Sequence, residues 1–219
     1  DFDELPLCAQ CREKGAEIVE GHRSVPSLLW SCSAAANICL LRLARSGTRT
    51  PQLVTVQLPD FALRVHRQDG VEQACVLLQD RFGLDVNVLL FAARVGVAGQ
   101  LATETLAAAS ERVAQWHAEV VRPLRAVRRR LKSGPAPAPS PATTELREQL
   151  KDLEIRSELI ELSELDALVP DVEPAGGDAV VRVVEALTLV VRAQSDRPLT
   201  SDEDAAVATI AAAAAGVGD

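Results

Sequence analysis

The segment between Asp85 and Gly96 constrains the fold more than any other part of the chain. Val86, Val88, Leu89, Leu90, Phe91, Ala92, Ala93 and Val95 leave it almost no polar circumference. At 100° per residue, Val86, Leu89, Leu90 and Ala93 share one side of a helix while Val88, Phe91 and Val95 share another. A helix that is apolar on most sides is stable only when other elements wrap it, so this one is expected at the centre of the fold. Asp85 supplies its N-cap and Gly96 its stop.

The wrapping elements follow the helical period. Pro59-Asp60 opens a short helical stretch through Phe61, Leu63 and Val65. Asp69, with Glu72 three residues on, resembles a capping box ahead of Val71, Ala74, Cys75 and Leu78, and Gly83 ends that helix. Thr103 and Glu104 start a longer run in which Val113, His117, Val120, Leu124, Val127 and Leu131 form a packing seam. Pro123 falls inside it and predicts a kink or restart near Val121. Thr143 or Thr144 is expected to cap a helix to about Leu168, carrying Leu146, Leu150, Leu153, Leu159, Leu162 and Leu165. After a loop from Pro170 to Gly177, Asp178 caps a segment with Val180, Val184, Leu187 and Val191 on one side. Thr200-Ser201-Asp202-Glu203 then precedes the Ala-rich stretch from Ala205 to Ala215, which completes a helical hairpin. With aromatic residues at only 3 % and no strand alternation, the fold class expected is all-α.

Composition divides the chain into four. Residues 1–53 show no sustained period and read as a leader that is disordered or not natively translated. Residues 54–132 form a helical unit, 133–142 a Pro/Ala linker, and 143–219 an acidic helix followed by the hairpin. The net charge of −8 is unevenly spread. The leader is neutral, residues 54–133 carry eleven basic and eight acidic side chains, and residues 134–219 carry six and seventeen. The chain has no Met. No run of 18 apolar residues occurs, so a spanning helix is not expected.

The motifs of the middle segment are shared with a known family. Phe61-Ala62-Leu63, Gly70-Val71-Glu72, Leu78-Gln79-Asp80-Arg81 with Gly83, Asp85-Val86-Asn87 with Leu89-Leu90-Phe91, Trp116, and Val120-Val121-Arg122-Pro123-Leu124-Arg125 with Arg128-Arg129-Arg130-Leu131-Lys132 resemble a small all-helical proteobacterial domain-of-unknown-function family. The resemblance implies a short helical cytoplasmic bacterial protein and supplies no catalytic residue. It also places the start of the family segment just before Phe61, which implies Val54 or Val56, read from an alternative start, as the beginning of the folded protein.

Candidate chemistry is sparse. Cys8 and Cys11 make half a zinc knuckle, but Cys32 and Cys39 are separated by six residues where two to four are usual. Asp80, Asp85 and Asn87 lie around the turn at Gly83, yet Leu89 and Leu90 occupy positions where a calcium loop needs ligands. His66 and His117 are too few for a metal triad unless carboxylates join them, and His117 reads as a core or boundary histidine. Cys75 reads as an inert buried thiol. No nucleophile elbow, GxGxxG or Walker pattern occurs, so no enzyme chemistry, cofactor or metal is expected.

The strongest signal is basic. Arg122, Arg125, Arg128, Arg129, Arg130 and Lys132 place six cations in eleven residues, with Arg122, Arg125, Arg129 and Lys132 on the side opposite the seam. Such a face binds an anionic partner, whether protein, nucleic acid or membrane surface. It can equally pair within the molecule, or between copies of it, with the eight carboxylates between residues 145 and 166. The expectation is therefore a non-enzymatic interaction protein using Arg122, Arg125, Arg128, Arg129 and Lys132. Its rival is a helical enzyme or ligand carrier with a polar pocket near Asp80, Asp85, Asn87 and Trp116. A buried polar cluster favours the rival; an outward arginine strip on a filled core favours the interaction protein.

Overall fold

The computed structural model describes residues 56–170 and 176–218. The leader up to residue 53, with Cys8, Cys11, Cys32 and Cys39, lies outside them, as do Val54 and positions 171–175 of the second loop. Every regular element among the described residues is a helix, so the fold is all-α. In chain order these are α1 (Leu58–His66), α2 (Val71–Phe82), α3 (Val86–Ala98), α4 (Thr103–Trp116), α5 (Arg122–Arg130), α6 (Pro141–Asp166), α7 (Ala179–Arg192) and α8 (Ser201–Gly218). A π-helical turn, His117–Val121, joins α4 to α5.

The apolar helix α3 is central, as its lack of a polar face requires. It packs against α1, α4, α6, α7 and α8, most extensively against α7. One core joins Leu58, Phe61 and Val65 of α1, Leu78 of α2, Leu89 and Phe91 of α3, Leu165 of α6, Leu187 of α7 and Ile210 of α8. Helices on both sides of the Pro/Ala linker contribute to it. Cys75 is buried in this core, and burial pushes its thiol up to about 12, which leaves it inert.

The close packing of α3 on α7 depends on Gly96. A Cβ at that position would stand 2.9 Å from Val183 Cα, so only glycine lets the two backbones approach this far. Arg182 locks the crossing from the other side. Its guanidinium donates to Gly96 O at 3.2 Å and Val97 O at 2.9 Å, serving carbonyls in the last turn of α3 that have no helical partner.

Several caps differ from the sequence expectation by a few residues. Asp69 does not cap α2. Gly70, left-handed at φ 79°, holds that position, and the helix starts at Val71. Ser140, not Thr143 or Thr144, caps α6, because Pro141 takes the first helical position, where its missing N–H costs nothing. Thr143 completes a reciprocal capping box by accepting from the Ser140 N–H at 2.8 Å. Asp85 and Asp178 cap α3 and α7 by accepting from Asn87 N and Val180 N, each at 2.8 Å.

Charged groups tie the ends together. Asp166 at the end of α6 accepts from the Leu58 N–H at 2.6 Å and so caps α1. Glu203 in α8 is completely buried. It accepts from the Thr200 N–H at 2.8 Å, from Arg197 at 2.6 and 2.8 Å, and from Arg81 of α2 at 3.1 Å. The Arg197 guanidinium lies 4.6 Å from the centre of the Phe82 ring. Arg197, against the cost of desolvation and aided by Thr200 and Arg81, holds the Glu203 carboxyl well below the ordinary value of 4.5. A depressed folded-state pKa adds stability above the unfolded value, and that stability is lost as pH falls through the folded one. Glu203→Gln should therefore lower Tm at neutral pH, with the gap to the parent closing as the solution is acidified below about pH 4.5. Thermal melts across that range test this, and a gap independent of pH refutes it.

Candidate functional site

Three elements converge on a buried polar cluster: the N-cap of α3, the π turn, and the inner face of α6. Asp85 Oδ2 lies 3.0 Å from His117 Nδ1, and Glu161 Oε1 lies 3.3 Å from the same nitrogen. The Glu161 side chain is completely buried, and those of Asp85 and His117 keep 14 % and 13 % of their surface. Both contacts are within range, yet neither has hydrogen-bond geometry. Asp85 Oδ2, His117 Nδ1 and Glu161 Oε1 are all buried without a hydrogen-bond partner.

The other oxygen of each carboxylate is fully engaged. Asp85 Oδ1 accepts the Asn87 N–H, and Glu161 Oε2 accepts from Asn87 Nδ2 at 2.6 Å. Asn87 thus orients both acids and turns their free oxygens toward the imidazole. Burial works against the imidazolium, but Asp85 and Glu161 outweigh it and push His117 up to about 9. Burial also opposes the Asp85 charge, which the adjacent His117 nonetheless favours, so this acid sits below its ordinary range. Glu161 is raised, by burial first and by the nearby Asp85 carboxylate, with His117 offsetting part of the effect.

Beside the cluster runs a cleft of about 390 Å³ lined by Arg112, Val113, Trp116, Ile160, Glu161 and Glu164. Glu161 belongs to both cleft and cluster. Trp116 stands at the rim and donates from Nε1 to Ser157 O at 3.1 Å.

Residues 57–165 match the model of a family described as a protein of unknown function, DUF2390. That segment belongs to the family. No curated protein and no solved structure matches it. The DUF2390 segment holds every member of the cluster and the cleft, whereas α7 and α8 lie beyond it.

The arginine helix of the DUF2390 segment follows from the π turn. An ordinary helical pitch puts Val120, Leu124, Val127 and Leu131 on the seam. The π turn inserts one extra residue, which moves the inward positions on by one. Val121 is accordingly buried, and Val127 is 49 % exposed. Arg125 and Arg128 now face α6. Arg125 donates from Nε to Glu154 Oε1 at 2.8 Å and also bonds Glu158; Arg128 binds both oxygens of Glu154. Glu154 is depressed despite its burial, by Arg128 and then Arg125, while burial raises Glu158.

The remaining cations point outward. Arg129 meets Asp80 at 3.3 Å, and both side chains are half exposed. Asp80 is therefore engaged away from Asp85 and Asn87. Arg122, Arg130 and Lys132 are exposed and form no ion pair among the described residues.

Of the residues expected in a polar pocket, Asp85, Asn87 and Trp116 do assemble around one site. His117, read from the sequence as a core or boundary histidine, joins them, and Glu161 is the member that the sequence did not single out. The signal for Glu161 lies in its phase: Glu154, Glu158 and Glu161 share a helical stripe with the core residue Leu165, so these acids had to be inside. Arg125→Ala should cost about 3 kcal/mol by leaving Glu154 and Glu158 short of charge, whereas Arg130→Ala should change stability by less than about 0.5 kcal/mol. Urea denaturation of the two variants checks this, and equal effects would contradict the one-residue shift.

Proposed function

We propose that this domain is a binding module whose working part is the pocket formed by Asp85, Asn87, His117 and Glu161, with Trp116 at its rim. The observation that carries the reading is the set of three buried, converging atoms that meet as charges at 3.0 and 3.3 Å but lack hydrogen-bond geometry. A buried unsatisfied polar group costs about 1–3 kcal/mol, and a whole domain is stable by only about 5–15 kcal/mol. A fold keeps such an arrangement where the exposed valence is used. The adjoining cleft supports the same conclusion.

A second reading has narrower support. An anionic partner has only the outer cations Arg122, Arg130 and Lys132 to engage without breaking an internal pair, since Arg125 and Arg128 already neutralise α6. In the cytoplasm, charge reversal at these three should abolish such an association and leave folding intact. A full set of retained partners in a pull-down would remove this reading.

The pocket reading has a test that needs no ligand. Asp85→Asn keeps the cap on α3, and Glu161→Gln keeps an oxygen for Asn87. If the carboxylates are there for binding, the double variant D85N/E161Q relieves their confinement and should match or exceed the parent in Tm when no ligand is bound. If they serve only as structural partners of His117, removing them should cost about 3–5 kcal/mol and overturn the proposal.

A further inference from the structure

The geometry points to a binding site for one divalent transition-metal ion at Asp85, His117 and Glu161, held through Asp85 Oδ2, His117 Nδ1 and Glu161 Oε1. This deepens the pocket reading and rests on it. The three residues each offer one ligand atom, and all three atoms lie within 4.8 Å of one another.

Spacing is the first support. Ligand atoms about 2.1 Å from a zinc-sized ion, subtending angles between octahedral and tetrahedral, stand about 3.0–3.4 Å apart. The observed separations from His117 Nδ1 are 3.0 and 3.3 Å. An ion pair between the imidazolium and the two acids allows similar lengths, but the Nδ1 proton is aimed along neither line, since none of the three atoms has hydrogen-bond geometry. The fully buried Glu161 aims an unpartnered oxygen into the centre.

Ligand chemistry selects the ion class. An imidazole nitrogen with two carboxylate oxygens suits zinc, manganese or ferrous ions, while calcium takes six to eight oxygens and copper(I) takes sulfur. A metal-ligating imidazole is neutral, so one divalent cation displaces the His117 proton and its charge is balanced by the two carboxylates. Asn87 acts as an outer partner, bonding Glu161 Oε2 and, through its backbone, Asp85 Oδ1. His117 opens a π turn, a local widening that recurs at functional sites and here turns the imidazole inward. Three protein ligands are the number usually found where a metal keeps a coordination position open, and Glu161 borders the Trp116 cleft.

The test uses the full chain, stripped with a chelator and titrated calorimetrically with Zn²⁺ near neutral pH. Because Cys8, Cys11, Cys32 and Cys39 are also potential ligands, the reference is the Cys11→Ser variant. It should take up one zinc equivalent, and adding Glu161→Gln should abolish that uptake or weaken it more than about a hundredfold. Adding Asn87→Ala, which leaves all three ligands in place, should weaken it by about tenfold to a hundredfold and provides the check if E161Q fails to fold. Cobalt(II) bound to C11S should give visible bands without thiolate charge transfer. No uptake by C11S, or unchanged affinity in both added variants, overturns the metal site. In that event a stable D85N/E161Q protein leaves the pocket reading standing, whereas its collapse removes both.

Discussion

A 26-residue helix that turns Glu154 and Glu161 into the interior, with Glu158 only partly covered beside them, sets the terms for everything packed against it. A buried carboxylate without a partner costs several kcal/mol, so the chain facing α6 must bring cations and donors to matching heights. It does so with Arg125 and Arg128 at one level and with His117 and Asn87 at another. Helix α5 buries none of its residues completely, so this contact is governed by charge more than by apolar area. Sliding α5 along α6 by one residue would strand buried charge on both helices. The register between them is therefore fixed electrostatically, while α3, α7 and α8 are held by ordinary apolar packing.

That register exists because the helical ladder breaks in one place. Pro123 has no N–H to give to the carbonyl of Glu119, and its ring would press on that carbonyl in a regular helix. The wider π turn over His117–Val121 accommodates it. An extra residue in a turn rotates the downstream helix by roughly 100°, which exchanges Val120 for Val121 and Leu124 for Arg125 on the inner face. One proline thus accounts both for the inward turn of two arginines and for the histidine at the head of the widened turn.

What the sequence revealed and what it concealed divide at this turn. The central position of α3 followed from its missing polar face, and Asp85, Asp178 and the Thr200–Glu203 pattern announced three helix starts through their capping chemistry. A break near Val121 was legible from Pro123. Its consequence was not, because periodicity carried through the proline at 3.6 residues per turn sends Arg125 outward with Arg122 and Arg129. The pocket was half visible: Asp85, Asn87 and Trp116 stood out near a turn, but His117 and Glu161 come from elements 32 and 76 residues beyond Asp85, and no local pattern pairs them. Only the phase of Glu161 with Leu165 marked it as an inward acid. Charge runs are commonly solvated, and that prior hid Glu154 and Glu161, which are buried.

The way the cluster is supported bears on what it can do. A site made of a few converging atoms needs each held within about 0.5 Å, which side chains on loops rarely achieve. Here each comes from a helix or its cap. Asp85 is fixed by its bond to the first turn of α3, Glu161 by Asn87 from that same turn, and His117 by a helical ladder that continues on both sides. Helix α3 is itself clamped at its far end, where Gly96 meets Val183 and Arg182 holds the last carbonyls. The hairpin α7–α8, beyond the DUF2390 match, contributes no atom to the cluster but packs against α3 and so restrains the tilt by which α3 could relieve the crowding of the two carboxylates. The crowding is therefore preserved by packing some distance away, which keeps the buried cluster from relaxing into hydrogen bonds of its own.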